Sequence, residues 1–358
     1  METAPEERRL LRVLHVVECY EGGVGRAVRN LVQATPGIEH HLLFHEEAGE
    51  GLDVEGFRSA RRLPASQWAR VREVRRAVAR TRPDVVHAHS SWAGVYARVV
   101  RAGRPVVYQP HGFAHVQPRR SPLSRFVFGL AERLLARRTS AFVAVSPAEA
   151  RDARALGRAQ VLTVHNLPTV PVAPQRAGGP GAGPVTVVML GRLCTEKDPG
   201  FFADVAAALR DAQVAARLVW LGDGEAGFRA TLEAAGVDVT GWLSPVEVTE
   251  RLDAADLYLH SSSTEGFPLA VLDAAARDVP VLVRDIAAFR ETPLPRVGSA
   301  GEAATEIRRF LEDASARAAA QSATRQVLRD ASPEAVAEEL ATVYAAVLGP
   351  SRGTASLG

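Results

Sequence analysis

The sequence predicts two doubly wound α/β domains, each a parallel sheet with helices on both faces. Three observations carry that prediction. Short apolar runs alternate with helical patterns along most of the chain. Its 358 residues exceed what one hydrophobic core usually fills. Between the two alternating halves, residues 168–184 (PTVPVAPQRAGGPGAGP) are rich in Pro, Gly and Ala and lack periodicity, as a linker does.

Element by element, the apolar run 12–18 follows a charged N-terminus and is far too short to span a bilayer. It reads as a first strand and not as a signal peptide. Further strands are expected at 40–44, 84–88, 105–108, 141–145 and 160–164, with helices at 25–34, 67–81, 91–102, 121–138 and 147–156. After the linker the same rhythm gives strands at 185–190, 217–221, 237–241, 256–260 and 280–283. Helices are expected near 199–211, 225–236, 245–254, 267–277 and 301–320. The expected division is an N-terminal domain 1–170, a linker 171–184 and a C-terminal domain 185–332. The tail 333–358, with a helix at 333–348, can serve either domain and is able to pack back on the first. In open sheets of this kind ligands bind beyond the carboxyl ends of the strands, so two facing domains would place a cleft between those ends.

Composition narrows the function. Hydrophobic content of 47% is ample for packed cores. The two cysteines, Cys19 and Cys194, make no disulfide framework, and a reduced cytoplasmic compartment fits best. The net charge of +2 hides an asymmetry. Residues 1–170 hold 26 arginines against 16 acids, and the remainder holds 17 cations against 25 acids. The basic half suits an anionic partner or a membrane surface, or the halves simply attract each other. Its arginines are dispersed and few aromatics interleave them, which argues against a nucleic-acid binder. Residues 121–138 (SPLSRFVFGLAERLLARR) set Leu123, Phe126, Val127, Leu130 and Leu134 on one stripe, with arginines elsewhere. Packing on the sheet is the favoured reading. Peripheral contact with an anionic membrane is the other.

One residue stands out against the arginine-rich background. Lys197 is the only lysine. Lysine offers a compact point charge where arginine offers a flat fork. Lys197 lies in Gly191-Arg192-Leu193-Cys194-Thr195-Glu196-Lys197, after a strand and before a helix. A strand, a glycine turn, two cations and a helix start together describe a phosphate site. The first strand ends in Gly22-Gly23-Val24-Gly25, which lacks the dinucleotide G-x-G-x-x-G spacing. It suits close approach of a ligand or a plain tight turn. Gly222-Asp223-Gly224 reads as a turn near a nucleobase or as any strand-to-helix turn. The segment Glu265-Gly266-Phe267-Pro268 opens a helix that carries Asp273. A carboxylate pair beside two cations suits a ligand with hydroxyls at both ends and a diphosphate between them, a nucleotide sugar. His111 precedes Gly112. His87 and His89, near a strand end, can face the cleft or close a core hydrogen bond, the latter being favoured, and His15, within the first strand, is expected to be buried. None of them has zinc-like spacing with a cysteine.

These pieces resemble the large GT-B glycosyltransferase family of the retaining type, often called family 4. Its hallmarks are a Gly-rich loop after the first strand, a His-Gly step, an Arg-x4-Lys pair and a Glu-x7-Glu motif. They are matched by Gly22-Gly23-Val24-Gly25, His111-Gly112, Arg192 with Lys197, and Glu265 with Asp273, in family order. The resemblance implies two facing Rossmann-like domains and transfer of a sugar from a UDP- or GDP-sugar to an acceptor hydroxyl. It implies that Arg192 and Lys197 grip the diphosphate, and that Gly22 and Gly23 let backbone amides reach the donor. Glu265, with Gly266 and Phe267, would bind sugar hydroxyls. Asp273 would hold the ribose, and His111 would orient the sugar at the reacting carbon. Asp273 departs from the pattern, being one methylene shorter than the family's second Glu. No Asp-x-Asp pair occurs, so the two cations are expected to replace a metal and no essential metal or cofactor is expected. An epimerase or hydrolase of the same architecture, or a non-catalytic nucleotide-sugar binder, are the rival readings.

Overall fold

The computed structural model describes residues 9–45, 53–100, 103–117, 119–157, 159–175 and 184–349. The chain divides into two compact units. One comprises residues 1–167 with 332–358, and the other comprises 168–331. The greater part of the expected linker, residues 176–183, lies outside the described residues.

The first unit is built on seven parallel strands: β1 (Arg12–Val17), β2 (Glu39–Phe44), β3 (Phe57–Arg62), β4 (Val85–His89), β5 (Val106–Gln109), β6 (Ala141–Ala144) and β7 (Gln160–Thr163). Their order is β3-β2-β1-β4-β5-β6-β7. Helices α1 (Gly23–Ala34), α2 (Gln67–Thr81), α3 (Ser91–Val99), α4 (Pro122–Ala136) and α5 (Pro147–Arg154) connect them. The central strands are buried nearly throughout because helices cover both faces, and their apolar runs are broken by histidines. Strand β3 escaped the sequence reading for a physical reason. Its sequence, FRSARR, lies at the sheet edge with four of its six residues exposed, so it carries no apolar run.

The second unit repeats the plan with β8 (Val185–Leu190), β9 (Ala216–Leu221), β10 (Asp238–Val239), β11 (Leu257–His260), β12 (Val281–Arg284) and β13 (Arg296–Val297), in the order β10-β9-β8-β11-β12-β13. Its helices are α6 (Pro199–Asp211), α7 (Ala226–Ala234), α8 (Pro245–Asp253), α9 (Leu269–Ala276), α10 (Ala300–Glu312) and α11 (Ala314–Gln326). The single helix expected at 301–320 is two. Asp313 takes an extended conformation, and its carboxylate accepts from Ser315 N at 2.8 Å, capping α11.

Helix α12 (Pro333–Leu348) belongs to the first unit. Ser332 caps it and Pro333 occupies its first turn. Val336, Leu340, Val343 and Tyr344 pack with Leu11, Val13, Leu31, Val85 and Val107. Each such side chain contributes about 1.5–3 kcal/mol on burial.

Helix α4 corrects the favoured reading of residues 121–138. It turns Glu132 inward, where the carboxylate meets Arg98 at 2.8 Å and Tyr108 at 3.0 Å. The expected packing stripe faces solvent: Leu123 is 73% and Phe126 66% exposed, and Val127, Leu130 and Leu134 are exposed as well. Arg98 and Glu132 are both buried, so an unmatched partner would be costly. This ion pair decides which face of α4 points in.

Glycine is sterically required at one position near the end of β1. A Cβ on Gly25 would lie 1.5 Å from the carbonyl oxygen of Tyr20. Gly25→Ala must therefore displace α1 from the loop after β1. It should lower stability by about 2 kcal/mol or more. Denaturant unfolding measures this, and an unchanged midpoint would show that the helix moves freely.

Candidate functional site

Each sheet reverses its winding beside its first strand, between β1 and β4 in one unit and between β8 and β11 in the other. Loops that follow such a strand pair diverge and leave a crevice, where ligands of doubly wound sheets bind. The sequence-expected residues lie on these loops. Arg192 and Lys197 follow β8, and Glu265, Gly266 and Phe267 follow β11.

In the second unit the two loops are tied together. Ser261 Oγ donates to the carbonyl of Lys197 at 2.7 Å, and Ser263 N donates to that of Glu196 at 2.9 Å. Lys197 closes a 3-10 turn, Thr195–Lys197, and Asp198 then takes a left-handed conformation that starts α6. Arg284 of β12 donates to the Asp198 carboxylate at 2.5 Å. A side chain on Gly191 would come within 3.2 Å of the Lys197 stem, so the glycine leaves room for the lysine. The turn read as nucleobase-facing serves here as backbone packing. Cβ atoms on Gly222 and Gly224 would each lie 2.3 Å from the carbonyls of Gly191 and Leu193.

The Lys197 ammonium donates to Glu265 Oε1 at 2.6 Å. His260 Nε2, fully buried, stands 3.4 Å from the same oxygen. Its Nδ1 is 3.1 Å from the Tyr258 hydroxyl. Burial alone would raise the Glu265 carboxyl, but the Lys197 charge and His260 outweigh it and hold it far below the usual range. Burial lowers His260 against the pull of Glu265, which favours the neutral ring. Arg192 is exposed and has no ion-pair partner among the described residues. The result is an ionised carboxylate, an anchored ammonium with two donors left over, and an exposed guanidinium. Such a set can bind hydroxyls and neutralise a diphosphate.

Phe267 packs edge-on against Phe289 at 5.9 Å, and Gly266 beside it is buried. Asp273 is arranged differently from the expected ribose contact. Helix α9 is buried nearly all round, and Asp273 is 1% exposed. Its carboxylate accepts from Thr169 N and, at 2.9 Å, from Thr169 Oγ1. The shorter side chain is thus engaged with the segment that enters the second unit.

In the first unit Gly22 and Gly23 are exposed at the start of α1, and no atom would meet a Cβ on Gly23 within 4 Å. His111 follows β5 with φ +53°, strained for a residue with a side chain, and Gly112 continues at φ +108°. Glu149, which the sequence reading did not single out, braces this step. Its carboxylate accepts from Gly112 N at 2.5 Å and Val145 N at 2.8 Å. Burial raises its carboxyl to about 7, against those two donors. The Ser146-Pro147-Ala148-Glu149 capping pattern was the available signal.

His15, His87 and His89 bring ring nitrogens within 4.8 Å of one another, the spacing of a metal group among the described residues. Both nitrogens of His15 and both of His89 are, however, engaged with other rings. His87 Nδ1 meets the Tyr344 hydroxyl at 3.0 Å. The arrangement fits hydrogen bonding within the core better than coordination.

The ion pair yields a prediction. Lys197→Met would leave Glu265 without its cation and should cost about 1–3 kcal/mol. Glu265→Gln in the same background should recover part of that loss. A double-mutant cycle by urea unfolding should give coupling of about 1 kcal/mol or more. Strict additivity would mean that the contact contributes nothing.

Comparison with known proteins agrees with this architecture. Residues 22–167 match the glycosyl transferase 4-like domain, and residues 184–313 match the glycosyl transferases group 1 domain. The putative teichuronic acid biosynthesis glycosyltransferase TuaC of Bacillus subtilis is 38% identical over 99 residues, 28% of this chain and 24% of that protein. The GDP-mannose-dependent alpha-(1-6)-phosphatidylinositol dimannoside mannosyltransferase of Mycobacterium tuberculosis is 37% identical over 110 residues, 30% of this chain and 29% of that one. An Escherichia coli UDP-Gal:alpha-D-GlcNAc-diphosphoundecaprenol alpha-1,3-galactosyltransferase is 25% identical over 230 residues, 57% of this chain and 58% of that one. Among solved structures, Anabaena HepE in complex with UDP superposes with a TM-score of 0.71 at 17% identity, covering 93% of this chain and 99% of that one. Two family matches spanning well over half the chain, on a fold shared with HepE, place this protein among the group 1, family 4-type glycosyltransferases of GT-B fold.

Proposed function

We propose that the enzyme is a retaining transferase that moves a sugar from a UDP- or GDP-sugar to an acceptor hydroxyl. The observation that carries this reading is the sole lysine, anchored by Glu265 on the loop that also bears the exposed Arg192, at the switch point of the second unit. Arg192 and Lys197 bind the donor diphosphate and stabilise its charge as the bond to the anomeric carbon breaks. They stand where a metal would otherwise be required. Glu265, with the Gly266 and Phe267 backbone, binds sugar hydroxyls. The acceptor oxygen bonds to the anomeric carbon on the face from which the nucleoside diphosphate leaves, and a diphosphate oxygen takes the hydroxyl proton. In the first unit, His111 orients the sugar and Gly22-Gly23 admit the donor. Asp273, held by Thr169, is assigned to positioning the second unit's entry segment and not to the ribose.

A nucleotide-sugar panel, read as nucleoside diphosphate release with and without acceptors, tests this reading. Release should depend on acceptor, and Arg192→Ala or Lys197→Ala should each lower kcat by about 100-fold or more. Equal release without acceptor would favour a hydrolase. Unchanged release in both variants would remove the assigned roles of the cations.

The acceptor is proposed to be lipid-linked, with α4 resting on an anionic membrane. Its exposed Leu123, Phe126, Val127, Leu130 and Leu134 lie among exposed Arg125, Arg133, Arg137 and Arg138, the pairing that interfacial helices use. No helix among the described residues is long and apolar enough to cross a membrane, so α4 would lie on the surface. The names of the mannosyltransferase and galactosyltransferase relatives, with their phosphatidylinositol and diphosphoundecaprenol acceptors, support the same class. Phe126→Asp with Leu130→Asp should lower binding to phosphatidylglycerol vesicles about tenfold or more in co-sedimentation and leave the fold intact. Equal binding by the variant would sink the membrane assignment.

A further inference from the structure

Four histidines of the first unit form one continuous hydrogen-bonded line. His40 Nδ1 is 3.0 Å from His15 Nε2, His15 Nδ1 is 3.0 Å from His89 Nε2, and His89 Nδ1 is 3.2 Å from His111 Nε2. Strand register explains the line. His15 pairs with His87, His89 lies two residues further on the same face of β4, and His40 stands on the neighbouring strand β2. His15, His40 and His89 are buried, and water does not compete for their nitrogens.

The far end of the line fixes its polarity. His40 Nε2 faces Thr35 Oγ1 at 3.0 Å and the Thr35 carbonyl at 3.2 Å. The Thr35 hydroxyl donates its proton to the Leu31 carbonyl at 2.7 Å. Both oxygens can therefore only accept, so His40 must carry its proton on Nε2. Its Nδ1 is then bare and accepts from His15 Nε2–H. By the same logic His15 Nδ1 accepts from His89 Nε2–H, and His89 Nδ1 accepts from His111 Nε2–H. His111 is left with a bare Nδ1, which has no partner among the described residues.

We propose that His40, His15 and His89 are positioning residues that lock His111 in the Nε2–H tautomer, so that its Nδ1 accepts a hydrogen bond from a hydroxyl of the donor sugar. Each ring must hold a single proton for the relay to have a direction. Burial supplies that condition, with neighbouring histidines adding to it. His40 and His111 are lowered to about 4, and His15 and His89 lie well below their ordinary value. The relay sets a chemical requirement on the substrate. A sugar with a hydroxyl at that position supplies the proton Nδ1 needs, and one with a carboxylate or a deoxy carbon there does not. The sugar contact rests on the role of His111 given under Proposed function; the tautomer does not.

The test uses full-length protein with 15N-labelled histidine and long-range proton–nitrogen correlation, with His111 assigned through His111→Gln. The expected result is an unprotonated Nδ1 and a protonated Nε2 on His111 in the free enzyme. A protonated Nδ1 overturns the relay whatever the enzyme catalyses. His40→Phe removes the end that sets the polarity. It should give His111 signals of both tautomers and lower kcat/KM for the donor about tenfold. His40→Gln can accept from His15 and donate to Thr35, and it should restore one tautomer and most of the activity. Should His40→Phe keep a single His111 tautomer, the relay fails even if the variant is less stable. Should the tautomer be as expected while His111→Gln keeps full kcat/KM, the sugar contact is overturned and the relay stands.

Discussion

A carboxylate buried at the carboxyl end of β11 has to be neutralised, and much of the second unit's crevice is arranged around that need. Glu265 cannot keep its charge by solvation, since little of it reaches water. Lys197 supplies the charge, and the loop after β8 is shaped to deliver it. Gly191 clears space for the stem, the two serines hold the turn, and Asp198 redirects the chain into α6. A guanidinium is flat and wider than an ammonium, so it would not fit the slot in the same way. That accounts for a single lysine in a chain that otherwise uses arginine.

The first unit meets a related constraint differently. Its strained His111-Gly112 step is held by a buried acid, Glu149, through two backbone donors and no counter-cation. The second unit uses Glu265 in an ion pair that can face a ligand. The first uses Glu149 to fix backbone geometry. Both follow a strand at its carboxyl end, Glu265 on the loop after β11 and Glu149 in the first turn of α5 after β6.

The apolar strands and most helices were legible because burial on both sides writes itself as short runs of Val, Leu and Ala. Two edge strands were not: β3 is rich in arginine, and β13 is only two residues long. Arg192, Lys197 and Glu265 were singled out from local patterns, a glycine turn before a helix and a Glu-Gly-Phe-Pro stretch, while the contact between Lys197 and Glu265 spans 68 residues. The histidine line could not be read this way, since its members are 25 and 74 residues apart and only strand register brings them together. The inward face of α4 was misjudged because hydrophobicity outvoted one acid. Glu132 has partners, Arg98 and Tyr108, that lie far away in sequence. Asp273 shows a similar limit, because helical spacing did not show that Thr169 would engage it.

The first unit is discontinuous in the chain: it leaves at Leu167 and resumes at Ser332. Synthesis runs from the N-terminus, so the ribosome must make all of residues 168–331 before α12 exists. Until then the histidine-bearing strands lack the hydroxyl of Tyr344, and Val13, Val85 and Val107 lack their cover. The second unit, contiguous in sequence, has every strand in hand while its elder neighbour still waits for its last helix. The order of birth is thus reversed in the order of completion.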